Sequence, residues 1–261
     1  MKVKIIFFDI DGTLIGLDVD DISKRVKVTL NQLRKKGIKL FLATGRAPYM
    51  IPHFEGVQFD GALCFNGGYC YENGRKIDSL PLDKNDVKTI VANARKMGLA
   101  SAVASVAGHG ANFYEENLEE YFQISGNTCN VTADFEKLIN GDIFQIMVGA
   151  VKEQDRLLTE GTSKSKIARW WDRAVDIIPC ESGKDTAIAK ILSYYGFTKE
   201  ECMAFGDGGN DLDMIKYAGT GIAMGNAVAA VKEAADYVTD TCERDGICKA
   251  IEHFASKLRA E

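Results

Sequence analysis

The sequence predicts an α/β protein in which a parallel-sheet core is interrupted by an inserted α+β segment. Three observations carry this reading. Near both ends of the chain, apolar runs of strand length alternate with helix-spaced segments, the pattern of βαβ units. Two of these runs end in aspartate-rich turns, Asp9-Ile10-Asp11-Gly12-Thr13 and Gly206-Asp207-Gly208-Gly209-Asn210-Asp211. Between them the alternation loses its regularity over roughly Leu82 to Cys180, and no strand there ends in acid. A chain of 261 residues is expected to make two domains. Residues 1–81 and 182–261 are assigned to the core, and residues 82–181 to the insertion.

Val3 to Phe8 reads as a strand buried on both faces. Ile22 to Lys36 carries apolar residues at 22, 26, 30 and 33, a helical spacing, and Gly37 suits its end. A second strand, Ile38–Leu42, runs into Ala43-Thr44-Gly45-Arg46, and Pro48 opens a short helix to about Phe54. A third strand, Ala62–Phe65, ends in Asn66-Gly67-Gly68. Tyr69–Tyr71 and Lys76–Asp78 form a hairpin across Asn73-Gly74, a pair suited to a type I′ turn.

In the insertion, Asp83 caps a helix reaching Met97, with Gly98 at its end. Strands are expected at Leu99–Val106, Ile143–Val151 and Lys166–Trp171, and helices at Asn117–Ile124, Ala133–Ile139 and Lys152–Thr159. The alternation then resumes with a helix over Lys184–Tyr195, a strand over Glu201–Phe205 and a helix over Leu212–Ala218. A strand over Gly221–Met224, a helix over Ala227–Ala235, a strand over Tyr237–Thr239 and a closing helix over Asp245–Leu258 complete the chain.

Composition narrows the function classes. A net charge of −5 gives no electrostatic reason to expect nucleic acid or an anionic membrane as partner. The longest apolar stretches are strand-sized, and Met1-Lys2-Val3-Lys4 leads straight into the first strand, so no signal peptide or membrane span is expected. Seven cysteines without a C-x-x-C pair, and only three histidines, argue against a zinc site. They fit reduced thiols serving as small core residues in a cytoplasmic protein.

Aspartates at strand ends carry the chemistry. In an open α/β sheet, ligands bind beyond the carboxyl ends of the strands. In extended backbone, the i, i+2 spacing of Asp9 and Asp11 points both carboxylates to one side. Like charges there are costly unless a cation or a proton relieves them. Bringing Asp9, Asp11 and Asp207 together makes a hard, all-oxygen site suited to Mg²⁺. Thr44 and Gly45 offer a hydroxyl and backbone N–H groups to a phosphate oxygen, while Arg46 reads as a solvated or substrate-side cation. Lys184, at a helix start, is the natural counter-charge to phosphate.

Taken in order, Asp9-Ile10-Asp11-Gly12-Thr13, Thr44, Lys184 and Gly206–Asp211 resemble the four motifs of the haloacid dehalogenase superfamily of phosphohydrolases. The insertion between the second and third, and Phe65-Asn66-Gly67-Gly68 just before it, resemble the Cof-type branch with a type IIB α/β cap. One departure is Asp185 after Lys184, where glycine is frequent.

The resemblance implies a Rossmann-like parallel sheet core with an inserted cap domain that sets specificity. It implies a cytoplasmic Mg²⁺-dependent phosphatase for a small phosphorylated metabolite, foremost a sugar phosphate. Asp9 would be the nucleophile that forms an aspartyl-phosphate, and Asp11 the general acid and base. Mg²⁺ would be held by Asp9, the backbone carbonyl of Asp11, and Asp207. Thr44, Lys184 and Asn210 would bind the transferring oxygens, with Gly45, Arg46 and Asn66 on the substrate side. Thr13 would hydrogen-bond near Asp11, and Asp211 would orient Lys184 or a metal-bound water.

A phosphotransferase or mutase using the same intermediate is the alternative within enzymes. A phospho-sensing module like a response-regulator receiver is disfavoured by Asp11, because a receiver has no need of a general acid. His109, between two glycines, reads as a loop residue, and Tyr114-Glu115-Glu116 as a solvated turn. Of Trp170 and Trp171, at most one could line a cleft, and packing within the insertion is the default for both.

Overall fold

A computed structural model describes residues 2–16, 19, 21–124, 126–169 and 171–258. In chain order the strands are β1 (Ile5–Phe8), β2 (Lys39–Ala43), β3 (Gly61–Cys64), β4 (Tyr69–Glu72) and β5 (Arg75–Ser79). Next come β6 (Ser101–Ser105), β7 (Gly108–Ala111), β8 (Gln145–Val148), β9 (Ser165–Ala168) and β10 (Val175–Pro179). β11 (Cys202–Gly206), β12 (Thr220–Ala223) and β13 (Tyr237–Val238) follow. The chain divides into two compact units, one of Met1–Arg46, Met50–Ser79 and Gly183–Glu261, the other of Ala47–Tyr49 and Leu80–Ser182.

The first unit holds an eight-stranded sheet in the order β13-β12-β11-β1-β2-β3-β4-β5. It is parallel from β13 to β3 and antiparallel beyond. β1 lies at the point where the order reverses, between β11 and β2, which is where a doubly wound sheet opens a crevice at its carboxyl edge. All four β1 residues are buried, and the Phe8 ring stacks on Phe205 of β11 at 5.1 Å. Burying one such ring is worth about 2–3 kcal/mol, so the two strands that end in aspartate are anchored by the core behind them.

Local signals explain the elements around this sheet. Ser23 caps the helix Lys24–Lys35 by accepting from the Val26 N–H at 3.2 Å, and Val26, Leu30 and Leu33 form its buried stripe. Asn73 and Gly74 both take positive φ, as a type I′ hairpin requires. The helix Lys184–Tyr195 ends at Gly196 in the left-handed conformation.

The second unit is an antiparallel five-stranded sheet, β7-β6-β8-β10-β9, packed on one face by the helix Lys84–Lys96 through Val87, Ile90, Val91 and Ala94. Asp83 caps that helix by accepting from the Asn85 N–H at 2.9 Å.

Several expectations are corrected. Pro48 starts only a three-residue 3-10 turn, Pro48–Met50, rather than a helix to Phe54. The helices expected over Ala133–Ile139 and Lys152–Thr159 shrink to Phe135–Leu138 and to a 3-10 turn followed by Asp155–Leu158. Strands β7 and β10 were not anticipated. The glycines of Gly108-His109-Gly110 carry no strand propensity and hid β7. His109 is therefore a strand residue, its ring stacked on Phe122 at 4.8 Å. Tyr114 and Glu116 are exposed, as a solvated turn requires, and the half-buried Glu115 caps the helix Glu116–Ile124 by accepting from the Asn117 and Leu118 N–H groups, each at 3.0 Å. Trp171 packs against the Arg173 guanidinium at 4.6 Å, and Trp170 lies outside the described residues.

Candidate active site

The parallel register pairs Phe8 with Phe205, and the Asp9 N–H continues the ladder by donating to the Phe205 carbonyl at 3.0 Å. Asp9 thus stands one residue past β1 and Asp207 one residue past β11, side by side at the carboxyl edge. Gly12, φ +82°, lets the turn after β1 press on this edge. A β-carbon there would come within 2.2 Å of Asp207 Oδ2, so neither the space nor the backbone tolerates a side chain.

Lys184 enters from the first turn of its helix with a side chain fully shielded from solvent. Its Nζ donates to Asp9 Oδ1 at 2.6 Å and to Asp211 Oδ1 at 2.5 Å. Gly67, φ +95°, brings the turn after β3 against the start of this helix, where a β-carbon would meet the Gly183 carbonyl at 2.2 Å. The other oxygen of Asp211, a fully buried residue, accepts from the Asp207 and Gly208 N–H groups at 2.8 and 2.9 Å. Asp211 therefore ties the second acidic turn together and holds the lysine in place. Oxygens of Asp9, Asp207 and Asp211 all lie within 4.8 Å of one another.

The Lys184 ammonium pairs with two of the three clustered carboxylates, and the electrostatics follow from that. Burial, reinforced by Asp211 and Asp207, pushes the Asp9 carboxyl well above the usual carboxylate range against the pull of Lys184. Burial raises Asp207 to about 6, with the Thr13 hydrogen bond opposing the shift and Asp211 adding to it. Burial works to lower the Lys184 pKa, but Asp211 and Asp9 outweigh it and hold the ammonium above its ordinary value.

Asp11 departs from the geometry its spacing suggested. The extended backbone stops at Phe8 and a turn begins at Ile10, so the same-side rule for strands does not apply. The Asp11 carboxylate instead forms a two-point pair with Arg46, Nε to Oδ2 at 2.9 Å and Nη2 to Oδ1 at 2.7 Å. Arg46 is correspondingly no solvated cation: its side chain is 15% exposed, and Nη1 donates to the Met50 carbonyl at 3.0 Å. The Thr13 hydroxyl reaches Asp207 Oδ1 at 2.7 Å, rather than the Asp11 carboxylate.

The remaining residues cluster on the same edge. Thr44 is buried, and its hydroxyl accepts from the Arg46 N–H at 3.0 Å. Its carbonyl accepts from the Asn66 N–H at 3.1 Å. Asn66 takes a left-handed backbone with φ 51°, as does Phe65 with φ 52°, and its Oδ1 accepts from Asn210 Nδ2 at 3.1 Å. Left-handed backbone outside glycine is a strained conformation that clusters at functional sites. Gly45 packs directly on the Asn66 amide, 3.2 Å from where its β-carbon would sit.

Asn226, in the turn after β12, went unnoticed in the sequence. Its Nδ2 donates to the Gly12 carbonyl at 2.8 Å and to Asp207 Oδ2 at 3.3 Å. The available signal was a third parallel strand ending in a Gly-Asn pair, Gly225-Asn226, at the same sheet edge.

A doubly wound sheet with three carboxylates and a buried lysine at its carboxyl edge is suited to holding a divalent cation and an anionic ligand. The sequence pattern of the haloacid dehalogenase-like hydrolases matches residues 6–251, and the chain belongs to that family. It is 31% identical over 273 residues to the 5-amino-6-(5-phospho-D-ribitylamino)uracil phosphatase YitU of Bacillus subtilis (strain 168), covering 98% of each chain. Among solved structures it is similar to the phosphatase BT1666 from Bacteroides thetaiotaomicron, with TM-score 0.90, 30% identity, and coverage of 97% of this chain and 96% of that one. It is also similar to the HAD subclass IIB sugar phosphatase BT4131, with TM-score 0.87, 31% identity, and coverage of 97% and 99%. The enzyme class is accordingly that of a HAD-type phosphatase, a phosphoric monoester hydrolase.

Proposed function

We propose that the protein is a Mg²⁺-dependent phosphatase of a small phosphorylated metabolite, foremost a sugar phosphate, working through an aspartyl-phosphate on Asp9. The carrying observation is the Asp9 carboxylate, buried at a strand end within 2.6 Å of Lys184 and crowded by Asp207 and Asp211. Sugar chemistry is supported by relatives, one named a sugar phosphatase and another acting on a phosphoribityl compound. In this reading residues 1–81 and 182–261 form the catalytic core, and 82–181 the cap that selects the leaving group. A cytoplasmic site of action belongs to the same reading; among the described residues no helix is long and apolar enough to cross a membrane.

The donor set fits Mg²⁺. All candidate ligands are carboxylate or carbonyl oxygens, and the raised pKa values of Asp9 and Asp207 mark an excess of negative charge that a cation would relieve. Asp211 already accepts three hydrogen bonds, from Lys184 on one oxygen and from two backbone N–H groups on the other, whereas each Asp207 oxygen accepts one. The ion would therefore be held by Asp9, Asp207 and the Asp11 carbonyl. When bound, Mg²⁺ screens the anionic nucleophile from the anionic phosphate.

The chain's own groups do the rest. Asp9 attacks phosphorus, forming the Asp9–phosphorus bond as the ester oxygen leaves, and Asp11 gives that oxygen its proton. Asp11 then takes a proton from the attacking water, and cleavage of the acyl-phosphate returns the Asp9 carboxylate. The two-point pair with Arg46 occupies both Asp11 oxygens, so the incoming phosphate must draw Arg46 away before Asp11 can pass a proton. Two of the three Lys184 protons go to Asp9 and Asp211, and the third is assigned to the transferring phosphoryl group. The Thr44 hydroxyl accepts from Arg46 and so has its own proton to donate, and Asn210 has its second amide proton.

A phosphatase screen over sugar, polyol, nucleotide and cofactor phosphates, with Mg²⁺ or with chelator, tests the reading. The expected outcome is chelator-sensitive phosphate release with the highest kcat/KM on a sugar or polyol phosphate. No release from any of them would refute it.

The metal also fixes a pH dependence. Between the ordinary aspartate value and about 6, native Asp207 keeps a proton that the unfolded chain has lost. Stability of the metal-free protein through this group therefore falls as pH rises across that window. Mg²⁺ needs the ionised carboxylate. The rise in Tm on adding Mg²⁺ is thus expected to be small at about pH 5 and to grow above about pH 6. A Mg²⁺ effect on Tm independent of pH would contradict this.

A further inference from the structure

We infer that Asn226 is a positioning residue for the metal, acting through Asp207. The inference rests on the Mg²⁺ reading above and goes beyond it by assigning the group that aims one of its ligands. Asp207 Oδ1 accepts from the Thr13 hydroxyl at 2.7 Å and Oδ2 from Asn226 Nδ2 at 3.3 Å. Each carboxylate oxygen has two lone pairs, so this pair of neutral donors fixes the carboxylate plane and leaves acceptor capacity on both oxygens for a cation.

Three chain segments meet on the Asn226 amide. Its Nδ2 also donates to the Gly12 carbonyl at 2.8 Å, and its Oδ1 accepts from the Cys242 N–H at 3.3 Å. Gly12 in turn donates its N–H to the Ile15 carbonyl at 2.8 Å. The peptide unit that joins Asp11 to Gly12 thus lies in a turn pinned at Ile15 and at Asn226. The Asn226 turn is itself locked to the acidic strand end, because the Val228 N–H donates to the Asp207 carbonyl at 3.0 Å. The Asn226 amide, together with the Thr13 hydroxyl, therefore sets the spacing between the turn that carries the Asp11 carbonyl and the Asp207 carboxylate.

Asn226 is exposed, so truncating it leaves no core cavity and separates a positioning role from a structural one. The test compares the unaltered protein with Asn226→Ala by calorimetric Mg²⁺ titration, by Tm in chelator, and by phosphatase activity against Mg²⁺ concentration. The expected result is an increase in the Mg²⁺ Kd of about 10- to 100-fold. Tm in chelator should shift by no more than about 2 °C, the effect of a surface change. Activity should return at high Mg²⁺ to within about threefold of the unaltered enzyme, since Asn226 touches no substrate in this account. Unchanged Mg²⁺ affinity in Asn226→Ala overturns the inference, and so does an affinity loss that comes with a large fall in Tm and is not rescued by Mg²⁺. Failure of the unaltered protein to bind Mg²⁺ would instead bring down the metal reading, and with it this one.

Discussion

Replacing Asp9 by Asn is expected to cut kcat by at least about ten-thousandfold, the scale seen when a covalent nucleophile is removed. The amide keeps the shape of the carboxylate but cannot form the acyl-phosphate. The same change should leave the fold as stable as before or more so. Burial and the neighbouring Asp211 and Asp207 hold the Asp9 carboxyl well above its usual range, so its ionised form is a burden that folding carries. A neutral side chain removes that burden, and the gain should grow as pH rises, because the unaltered Asp9 becomes harder to keep neutral. The pair of measurements is kcat with Mg²⁺ and Tm in chelator over a range of pH. A dead enzyme of undiminished Tm is the expected outcome, and an Asp9→Asn variant of ordinary activity would refute the role.

Lys184→Met should damage both activity and stability. The side chain is fully buried, and its ammonium is shared by Asp9 and Asp211. Removing one partner from a buried ion pair costs about 3–5 kcal/mol, because the remaining charge is left unpaired. For a chain of this size that corresponds to a fall in Tm of roughly 10 °C. Phosphate would also lose a donor placed for the transition state, which costs about a hundred- to thousandfold in kcat.

The pH behaviour of this variant distinguishes its cause. The raised pKa of Lys184 gives stability that is fully present below the ordinary lysine value and lost only as pH climbs through the folded value, so acid does not remove it. In the Met variant, Asp9 loses the cation that opposes the effect of its burial and can become neutral only by taking up a proton. Its deficit should therefore shrink as pH falls. A deficit constant across pH would point to lost packing instead of unpaired charge.

The central features were legible in the sequence because they are local. An apolar run followed at once by aspartate marks a buried strand and its polar end, and two such ends imply one sheet edge. Capping residues such as Ser23 and Asp83, and the Asn73-Gly74 turn, likewise state their structure within a few residues. What spacing could not give is pairing across the fold. Arg46 reads as one cation among 32 basic residues until β1 and β2 lie side by side and bring it to Asp11. The i, i+2 rule for Asp9 and Asp11 failed because it presumed that β1 continues, whereas the chain turns at Ile10. Asn226 was invisible for the same reason, lying 19 residues after the carboxylate it contacts. β10 buries all five of its residues, yet it carries the buried Asp176, which accepts from the Tyr121 hydroxyl at 2.5 Å and blunted the apolar signal.

The division of labour between the first two aspartates gives the most direct test. Asp11→Asn should keep Mg²⁺ binding, because only the backbone carbonyl of Asp11 is assigned to the ion, but should slow hydrolysis of the phosphorylated enzyme. Mixing this variant with Mg²⁺ and a sugar phosphate that carries a good leaving group, quenching in acid, and mapping peptides by mass spectrometry reads the acceptor residue. The account predicts one phosphoryl group on Asp9, absent when Asp9→Asn is combined with Asp11→Asn. Phosphate released with no phosphorylated peptide at any time, or a phosphoryl group on another residue, would contradict it.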